Sequence, residues 1–248
     1  MAELQSQWSV DIRGEKIINR FLNDFLYSRT GRSFQTITDK NQQFRGVDTK
    51  MTLFNGRVIS IDEKCQLNRI NQTPITQCLE LGFYNDSGIF RNGWFTRETD
   101  TEYYLFTWIS KCKVNNKKHL TYESIDEVKA MLVSKKKLEE HLKSTFNIDK
   151  ETLRFPIAKM ITNNHHKQKT NNDGTKTNYV YLLDAKGNWA HEQRVRFTMS
   201  LGLYEKSINM VVFFTEYAKI YEDIFTISRD SIKSTKNNGG FLWQAQKN

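Results

Sequence analysis

Two aspartates and a lysine lie on neighbouring extended segments, where their types and spacing could support phosphodiester hydrolysis. Asp48 opens the first segment, and Asp62 and Lys64 lie two residues apart near the end of the second. Because side chains alternate between the faces of a strand, Asp62 and Lys64 share one face. If the two segments pair in register, Asp48 lies close to Asp62, and two carboxylates converge with an ammonium group.

Such a group suits a reaction in which the substrate and the attacking hydroxide are both anionic. Mg²⁺ prefers oxygen ligands from one or two carboxylates together with phosphates and waters, so Asp48 and Asp62 are the candidate ligands of Mg²⁺ or Mn²⁺. A bound metal lowers the pKa of a water molecule and stabilises the charge that develops on phosphorus. Lys64 is the candidate for orienting that water or stabilising that charge.

Short acid-X-lysine triplets also arise by chance, and composition alone predicts about three in a chain of this length. The chain also offers Glu127-Val128-Lys129, with no strand-borne aspartate just upstream, and Asp184-Ala185-Lys186, within a turn. Only Asp62-Glu63-Lys64 ends an apolar strand and follows an aspartate that opens the preceding strand. A structural salt-bridge cluster on a sheet face is the alternative, because ion-pair networks resemble active sites.

Hydrophobic spacing predicts the elements that must position these residues. Apolar residues recur at helical intervals over Ile12–Ser28, which predicts a helix with a polar outer side. The turn signal Asn55-Gly56 separates two segments that favour extended backbone, which predicts a hairpin. The predicted strands of this half are Ser33–Thr38, Val47–Phe54, Arg57–Gln66, Gln77–Tyr84 and Glu102–Ile109, the last buried on both faces.

The second half of the chain has both clear and ambiguous patterns. Ile125–Val133 fits a helix or a strand, and Ser134 is placed to cap a helix that ends at about Phe146. The polar stretch Asn163–Asn178 is predicted to be a mobile loop. Further predicted segments are the strands Tyr179–Leu183, Arg194–Leu203 and Ile208–Phe214 and the helix Thr215–Phe225. These elements predict one α/β (α+β) domain over residues 1–248, with a central mixed β-sheet flanked by helices.

Charge and composition narrow the classes of protein to which this chain could belong. Lys and Arg number 37 against 28 Asp and Glu, and this basic excess favours a polyanionic partner such as nucleic acid. The three cysteines are scattered without a CxxC motif, which argues for reduced thiols and against thiolate-bound zinc or iron–sulfur clusters. No apolar run reaches the ~20 residues of a membrane span, and the first ten residues lack a secretory pattern. We therefore expect a cytoplasmic protein with no membrane partner.

The arrangement of the acids and the lysine resembles the PD-(D/E)XK nuclease superfamily. Asp48 matches the first acidic position of that family, and Asp62 and Lys64 match its second acid and its lysine. Glu15 matches the acid that many members carry on the first helix, and Gln66 matches a glutamine found two residues beyond the lysine. Val47 replaces the proline of the family name, and a charged residue replaces the usual apolar one between Asp62 and Lys64.

The resemblance implies a restriction-endonuclease-like core over about residues 13–146, with an elaboration over about 147–248. It also implies an Mg²⁺-dependent endonuclease that acts on double-stranded DNA, and a homodimer, since both strands must be cut. Glu15 is a candidate extra ligand or a solvated helix residue, and Gln66 is a candidate catalytic or structural residue. The alternative function is a non-catalytic nucleic-acid-binding or assembly protein on the same fold, because function depends on the site rather than the fold.

Other residues could contact nucleic acid or metal, and each has an ordinary structural explanation. His165-His166 lies in the polar loop, where a solvated role is favoured over metal ligation. Two lysine runs could touch phosphates or form solvated surface. They comprise Lys135-Lys136-Lys137 and Lys111, Lys113, Lys117 and Lys118. The tryptophans that could stack on bases or fill the core are Trp94, Trp108, Trp189 and Trp243.

Overall fold

The structure is a computed structural model, and it describes residues 2–30, 33–53, 55–84, 90–153, 167–170, 176–181, 194–201 and 206–236. Over these residues the chain is mixed α/β, with many strands and few helices. The helices are α1 (Ala2–Leu22), a π-helical turn (Asn23–Tyr27), α2 (Ser28–Thr30), α3 (Lys40–Phe44), α4 (Lys135–Phe146) and α5 (Phe214–Tyr217).

Thirteen strands are described, and their bounds follow in chain order. They are β1 (Ser33–Thr36), β2 (Thr49–Thr52), β3 (Val58–Gln66), β4 (Thr76–Tyr84), β5 (Phe90–Asn92), β6 (Tyr103–Cys112), β7 (Ile125–Ser134), β8 (Lys167–Thr170), β9 (Lys176–Tyr181), β10 (Val195–Leu201), β11 (Lys206–Phe213), β12 (Tyr221–Ser228) and β13 (Ile232–Lys236). The predicted strands of the first half are confirmed, with bounds that differ by a few residues.

The chain forms two compact units, each assembled from separate segments. The first unit comprises Met1–Pro74, Thr99–Leu138 and Ile220–Asn248, and the second comprises Ile75–Glu98 and Glu139–Lys219. The second unit contains a six-stranded antiparallel sheet in the order β5-β4-β11-β10-β9-β8. Its strands β10 and β11 bury apolar residues such as Phe197, Ile208 and Met210.

The first unit is built on a mixed sheet in the order β1-β2-β3-β6-β7-β12-β13. Neighbouring strands are antiparallel, except that β3 and β6 run parallel. Helix α1 contributes Phe21 and Leu22 to a core that also contains Ile61 of β3 and Leu105 of β6. The apolar stripe of α1 therefore buries one face of the sheet, and alternation along β3 directs its other residues to the opposite face.

Burial explains the conformation of two segments of the first sheet. Ile125–Val133 is a strand, because it lies between β6 and β12 in the sheet and is buried over most of its length. The prediction that β6 is buried on both faces is confirmed over Tyr103–Ile109. The helix predicted over Ile12–Ser28 is present but begins earlier, at Ala2, and its last residues form the π-helical turn.

Helix α4 has the cap and the buried face that the sequence predicts. The backbone N–H of Lys137 donates to Ser134 Oγ over 3.4 Å, which satisfies one of the amides at the helix N-terminus. Leu138 and Leu142, four residues apart, are buried on the same side. None of the helices in the described segments is long and apolar enough to cross a membrane.

Two predictions for the second half are wrong over the described residues. The helix expected over Thr215–Phe225 ends at Tyr217, and the chain then forms β12, because Phe225 and Ile227 fill the core while β12 pairs with β7. Part of the loop expected over Asn163–Asn178 forms the paired strands β8 and β9. Their backbone groups find partners in a sheet, which polar composition alone does not indicate.

Candidate active site

The β2–β3 hairpin brings Asp48 and Asp62 together as the sequence register predicts. Thr49 lies opposite Ile61 in the antiparallel pair, so one step further along the ladder sets Asp48 opposite Asp62. Asp48 lies just before β2, and its N–H donates to the Ile61 carbonyl over 3.0 Å, which holds it beside β3. The charge of Asp48 contributes to the pKa of Asp62, so the two carboxylates are neighbours.

Asp62 is buried next to Lys64. Its exposed fraction is 1%, and its Oδ1 accepts a hydrogen bond of 2.5 Å from Lys64 Nζ. The other oxygen, Oδ2, is buried without a hydrogen-bond partner among the described residues. A buried carboxylate oxygen without a donor is costly, so this atom needs a proton or a cation.

The surroundings of Asp62 favour its neutral form. Burial raises the pKa of Asp62 to about 7, Lys64 opposes this shift, and the neighbouring Asp48 carboxyl adds to it. A proton or a bound cation at Asp62 is therefore favoured over an uncompensated carboxylate. Paired carboxyl groups of this kind are common at functional sites and also occur in structural networks.

The loop before β2 fixes the position of Asp48. Asp48 Oδ2 accepts a hydrogen bond of 2.9 Å from the Glu63 N–H, which holds the carboxylate over β3. Gly46 has a φ of +76°, and Thr101 Oγ1 donates to its carbonyl over 2.5 Å. A Cβ added at Gly46 would lie 2.6 Å from Thr101 Oγ1, so both backbone angle and space require glycine there.

Glu63, the charged residue between Asp62 and Lys64, points to the α1 side of the sheet. Its Oε1 accepts hydrogen bonds from the hydroxyls of Tyr27 (2.7 Å) and Thr49 (2.8 Å), and its Oε2 accepts one from Asn19 Nδ2 (3.0 Å). Burial raises the pKa of Glu63, and these donors oppose the shift. Glu63 therefore connects α1, the π-helical turn and the hairpin beneath the candidate site.

Glu15 lies on α1 within electrostatic range of the site, although its side chain is exposed. Surrounding protein raises the pKa of Glu15, Lys64 lowers it, and Asp11 and Asp48 raise it further. The preceding residue, Gly14, sits against Leu67 so closely that an added Cβ would be 2.6 Å from a leucine methyl carbon. This close approach holds the Glu15 turn of α1 beside the end of β3.

Gln66 shares the strand face of Lys64 and lies two positions beyond it, a separation of about 7 Å. It is the last residue of β3 and pairs with Trp108 of β6. The structure thus groups Asp48, Asp62 and Lys64, sets Glu15 within their electrostatic range and leaves Gln66 at the end of the strand.

The competing triplet on β7 has a different environment. Glu127 Oε2 pairs with Lys111 Nζ over 3.0 Å, and its Oε1 accepts from Ser110 Oγ over 2.8 Å. Although burial raises its pKa, these donors bring the pKa of Glu127 below its ordinary value. Both carboxylate oxygens of Glu127 therefore have donors, in contrast to those of Asp62. The triplet Asp184-Ala185-Lys186 lies outside the described residues.

The other candidates from the sequence are only partly described. His165-His166, Trp189 and Trp243 lie outside the described residues. Trp108 is 4% exposed and is part of the packed interior, while Trp94 is half-buried with an edge-on contact to Phe95. Among the described residues, no cluster of three or more His, Cys, Asp or Glu side chains is placed to hold a metal.

Sequence reasoning missed a basic group next to the hairpin. Lys50 lies two residues after Asp48 and therefore on the same strand face, and Arg45 precedes the Gly46 turn. The period-2 pattern of β2 was the signal that could have found Lys50. Arg45 could not be found in this way, because its partner, Asp100, is 55 residues away.

The chain was compared with protein families, curated proteins and solved structures. No protein-family model, curated protein or solved structure matches the chain.

Proposed function

We propose that the protein is a metal-dependent nuclease that hydrolyses phosphodiester bonds, and specifically a DNA endonuclease of restriction-like type. The observation that carries the proposal is the buried Oδ2 of Asp62, which lacks a donor and belongs to a carboxyl group paired with Asp48. Lys64 is bound to the other oxygen of the same carboxylate. Two acids and one lysine on one strand face are the set that this chemistry requires.

The donor set fits a hard divalent cation. Asp48 and Asp62 supply carboxylate oxygens, which Mg²⁺ and Mn²⁺ prefer. A cation bound by both carboxylates would offset the repulsion between them when both are ionised. When bound, the metal would supply an activated water and neutralise charge on the phosphate.

The side chains around this pair have separate roles in the proposal. Asp48 and Asp62 hold the ion, and the Glu63 N–H keeps the Asp48 carboxylate in place. Lys64 is held at the edge of the site by Asp62 and donates to the attacking water or to a non-bridging phosphate oxygen. Glu15 lies within electrostatic range of Lys64 and Asp48 and is the candidate for an additional acidic group of the site.

The proposal also includes a fold assignment: the first unit contains a core of the PD-(D/E)XK type. It is supported by the order of α1, the antiparallel meander β1-β2-β3 and the parallel strand β6. Where the family has a helix between the meander and the next strand, this chain has a 3₁₀ turn (Leu67–Arg69) and two strands of the second unit. The shared part is the part that carries Asp48, Asp62 and Lys64.

The proposal is tested by cleavage of supercoiled DNA and single-stranded RNA in Mg²⁺, Mn²⁺ or EDTA. Asp62→Asn removes a metal ligand at constant size, so cleavage should be lost. Lys64→Ala should lower the cleavage rate about 10²-fold or more, as removal of a transition-state donor does, while metal binding persists. Glu127→Gln is the matched control, since it alters the competing acid-X-lysine triplet and should cut like the parent.

Two results would overturn the nuclease assignment. One is a parent protein that cuts neither nucleic acid with either metal, and the other is an Asp62→Asn variant that cuts as fast as the parent. Absence of cleavage together with salt-sensitive nucleic-acid binding would instead identify the alternative function, a binding or assembly protein.

A further inference from the structure

Three arginines stack on aromatic rings where α1, the π-helical turn and α2 meet the 3₁₀ turn Tyr122–Ser124 and the β12–β13 turn. This arginine–aromatic cluster comprises Arg20, Phe25, Arg29, Tyr122 and Arg229. The guanidinium groups of Arg20 and Arg229 lie over the Tyr122 ring, at 4.2 Å and 4.7 Å from its centroid. Those of Arg29 and Arg229 lie over the Phe25 ring, at 5.3 Å and 5.6 Å. Two rings therefore hold three guanidinium groups together.

The rings position these arginines without neutralising them. A cation over a ring face is attracted by the ring quadrupole, but the ring carries no net charge. Among the described residues, Asp24 is the only carboxylate that forms an ion pair with the cluster, with Oδ2 3.7 Å from Arg20 Nε. The same oxygen accepts a hydrogen bond of 2.7 Å from the Tyr122 hydroxyl. Three guanidinium groups are thus accompanied by one carboxylate.

Two of the arginines also connect backbone segments, but Arg20 does not. Arg229 Nη2 donates to the Tyr122 carbonyl, and Arg29 Nη2 donates to the Arg229 carbonyl, each over 2.6 Å. Each bond uses one guanidinium N–H of the five. Over the described part of the chain the Arg20 guanidinium forms no hydrogen bond, and the Arg20 side chain is 66% exposed. The packing of the turns therefore explains Arg29 and Arg229 in part and leaves Arg20 unexplained.

The exposed side of α1 extends the basic surface beyond the cluster. Arg13 and Lys16 precede Arg20 by seven and four residues, so the three side chains lie on one side of the helix. Arg13 and Lys16 are both exposed, and Arg13 Nη2 donates to the carbonyl of Lys118, another exposed lysine, over 2.6 Å. At 1.5 Å per residue the row from Arg13 to Arg20 is about 10 Å long. It is long enough to contact more than one phosphate of a strand.

We propose that the arginine–aromatic cluster and this row of α1 bind the phosphate backbone of nucleic acid. A planar guanidinium can donate two parallel hydrogen bonds to a phosphate, and stacking on Tyr122 and Phe25 fixes the plane before the phosphate binds. The net charge of +9 attracts a polyanion to the protein as a whole. The inference concerns binding alone, so it does not require the Asp48–Asp62 pair to be catalytic.

The test measures binding of a short labelled DNA duplex in EDTA over a range of NaCl concentrations. Each phosphate contact contributes about 0.9 to the slope of log affinity against log salt, so Arg20→Gln and Arg29→Gln should each make that slope shallower by about 0.9. Arg20→Lys keeps the positive charge and should keep the parent slope. Arg91→Gln is the matched control, because Arg91 is an exposed arginine on β5, in the sheet of the second unit.

The slopes decide between a phosphate-binding role and a structural role of the arginines. If they only hold the turns together, Arg20→Gln and Arg29→Gln lower the free energy of unfolding in urea and leave the slope of the folded protein unchanged. A parent that does not bind DNA, a parent-like slope in either glutamine variant, or an equal change in Arg20→Lys or Arg91→Gln would overturn the inference. Because EDTA prevents metal-dependent cleavage, each of these outcomes is independent of nuclease activity.

Discussion

Asp48 and Asp62 come from opposite sides of the β2–β3 turn, yet the Asp48 carboxyl is close enough to raise the pKa of Asp62. The contact depends on a hairpin register that sets Thr49 opposite Ile61. It leaves one buried oxygen of Asp62 without a hydrogen-bond donor among the described residues. A cation bound between the two aspartates would satisfy that oxygen.

The stability of the metal-free protein should fall as pH rises through the titration of Asp62. Its folded-state pKa of about 7 lies above the ordinary value of 3.8, so the folded state binds more protons than the unfolded state between these pH values. At about 1.4 kcal/mol per unit, the shift from 3.8 to about 7 costs at most about 4 kcal/mol above pH 7.

Urea denaturation in EDTA between pH 4 and 8 tests this expectation. Relative to the parent, Asp62→Asn should become steadily more stable as pH increases to about 7, and the difference should then level off, because the variant has no carboxylate to ionise. Parallel stability profiles for the two proteins would show that Asp62 titrates normally.

Gly46→Ala should displace Asp48 and reduce cleavage. Alanine at a φ of +76° costs about 1–2 kcal/mol, and its Cβ would also meet Thr101 Oγ1 at 2.6 Å. Gly56→Ala is the matched control, since Gly56 has a φ of +82° with no atom within 4 Å of an added Cβ. Cleavage rates are measured for both variants below their melting temperatures, and only Gly46→Ala should cut more slowly than the parent. If Gly46→Ala cuts as fast as Gly56→Ala, the Gly46 turn does not position Asp48.

Replacement of Glu63 by leucine should destabilise the first unit. The change leaves the buried hydroxyls of Tyr27 and Thr49 without their acceptor, at a cost of about 1–3 kcal/mol for each unsatisfied group. Glu63→Gln keeps one acceptor oxygen and should lose less. Free energies of unfolding from urea titrations measure both effects, and a leucine variant as stable as the parent would contradict the role of Glu63.

The hairpin could be predicted from sequence because its signals are local. Residues 55 and 56 form the turn, and alternation along β3 puts Asp62 and Lys64 on one face whatever the rest of the chain does. The direction of Glu63, away from Asp62 and Lys64, follows from the same alternation. Its hydrogen bonds with Asn19 and Tyr27 do not follow from it, because Asn19 belongs to α1 and Tyr27 to the π-helical turn.

Features that depend on distant partners could not be predicted in this way. Arg45 is paired with Asp100 across 55 positions of the chain, and no local pattern indicates that contact. The segment that becomes β12 contains aromatic and acidic residues that also fit a helix, and pairing with β7 decides its form. Tertiary contacts therefore determine the Arg45–Asp100 pair and the conformation of β12.

The central claim is that the Asp48–Asp62 pair binds a divalent cation, and calorimetric titration with Mn²⁺ tests it most directly. The parent should bind Mn²⁺ and release protons at pH 6.5, because burial raises the pKa of Asp62 to about 7. Asp62→Asn should lose this binding, whereas Glu127→Gln should keep it. A parent that binds no Mn²⁺, or an Asp62→Asn variant that binds it with unchanged affinity and proton release, would contradict the account.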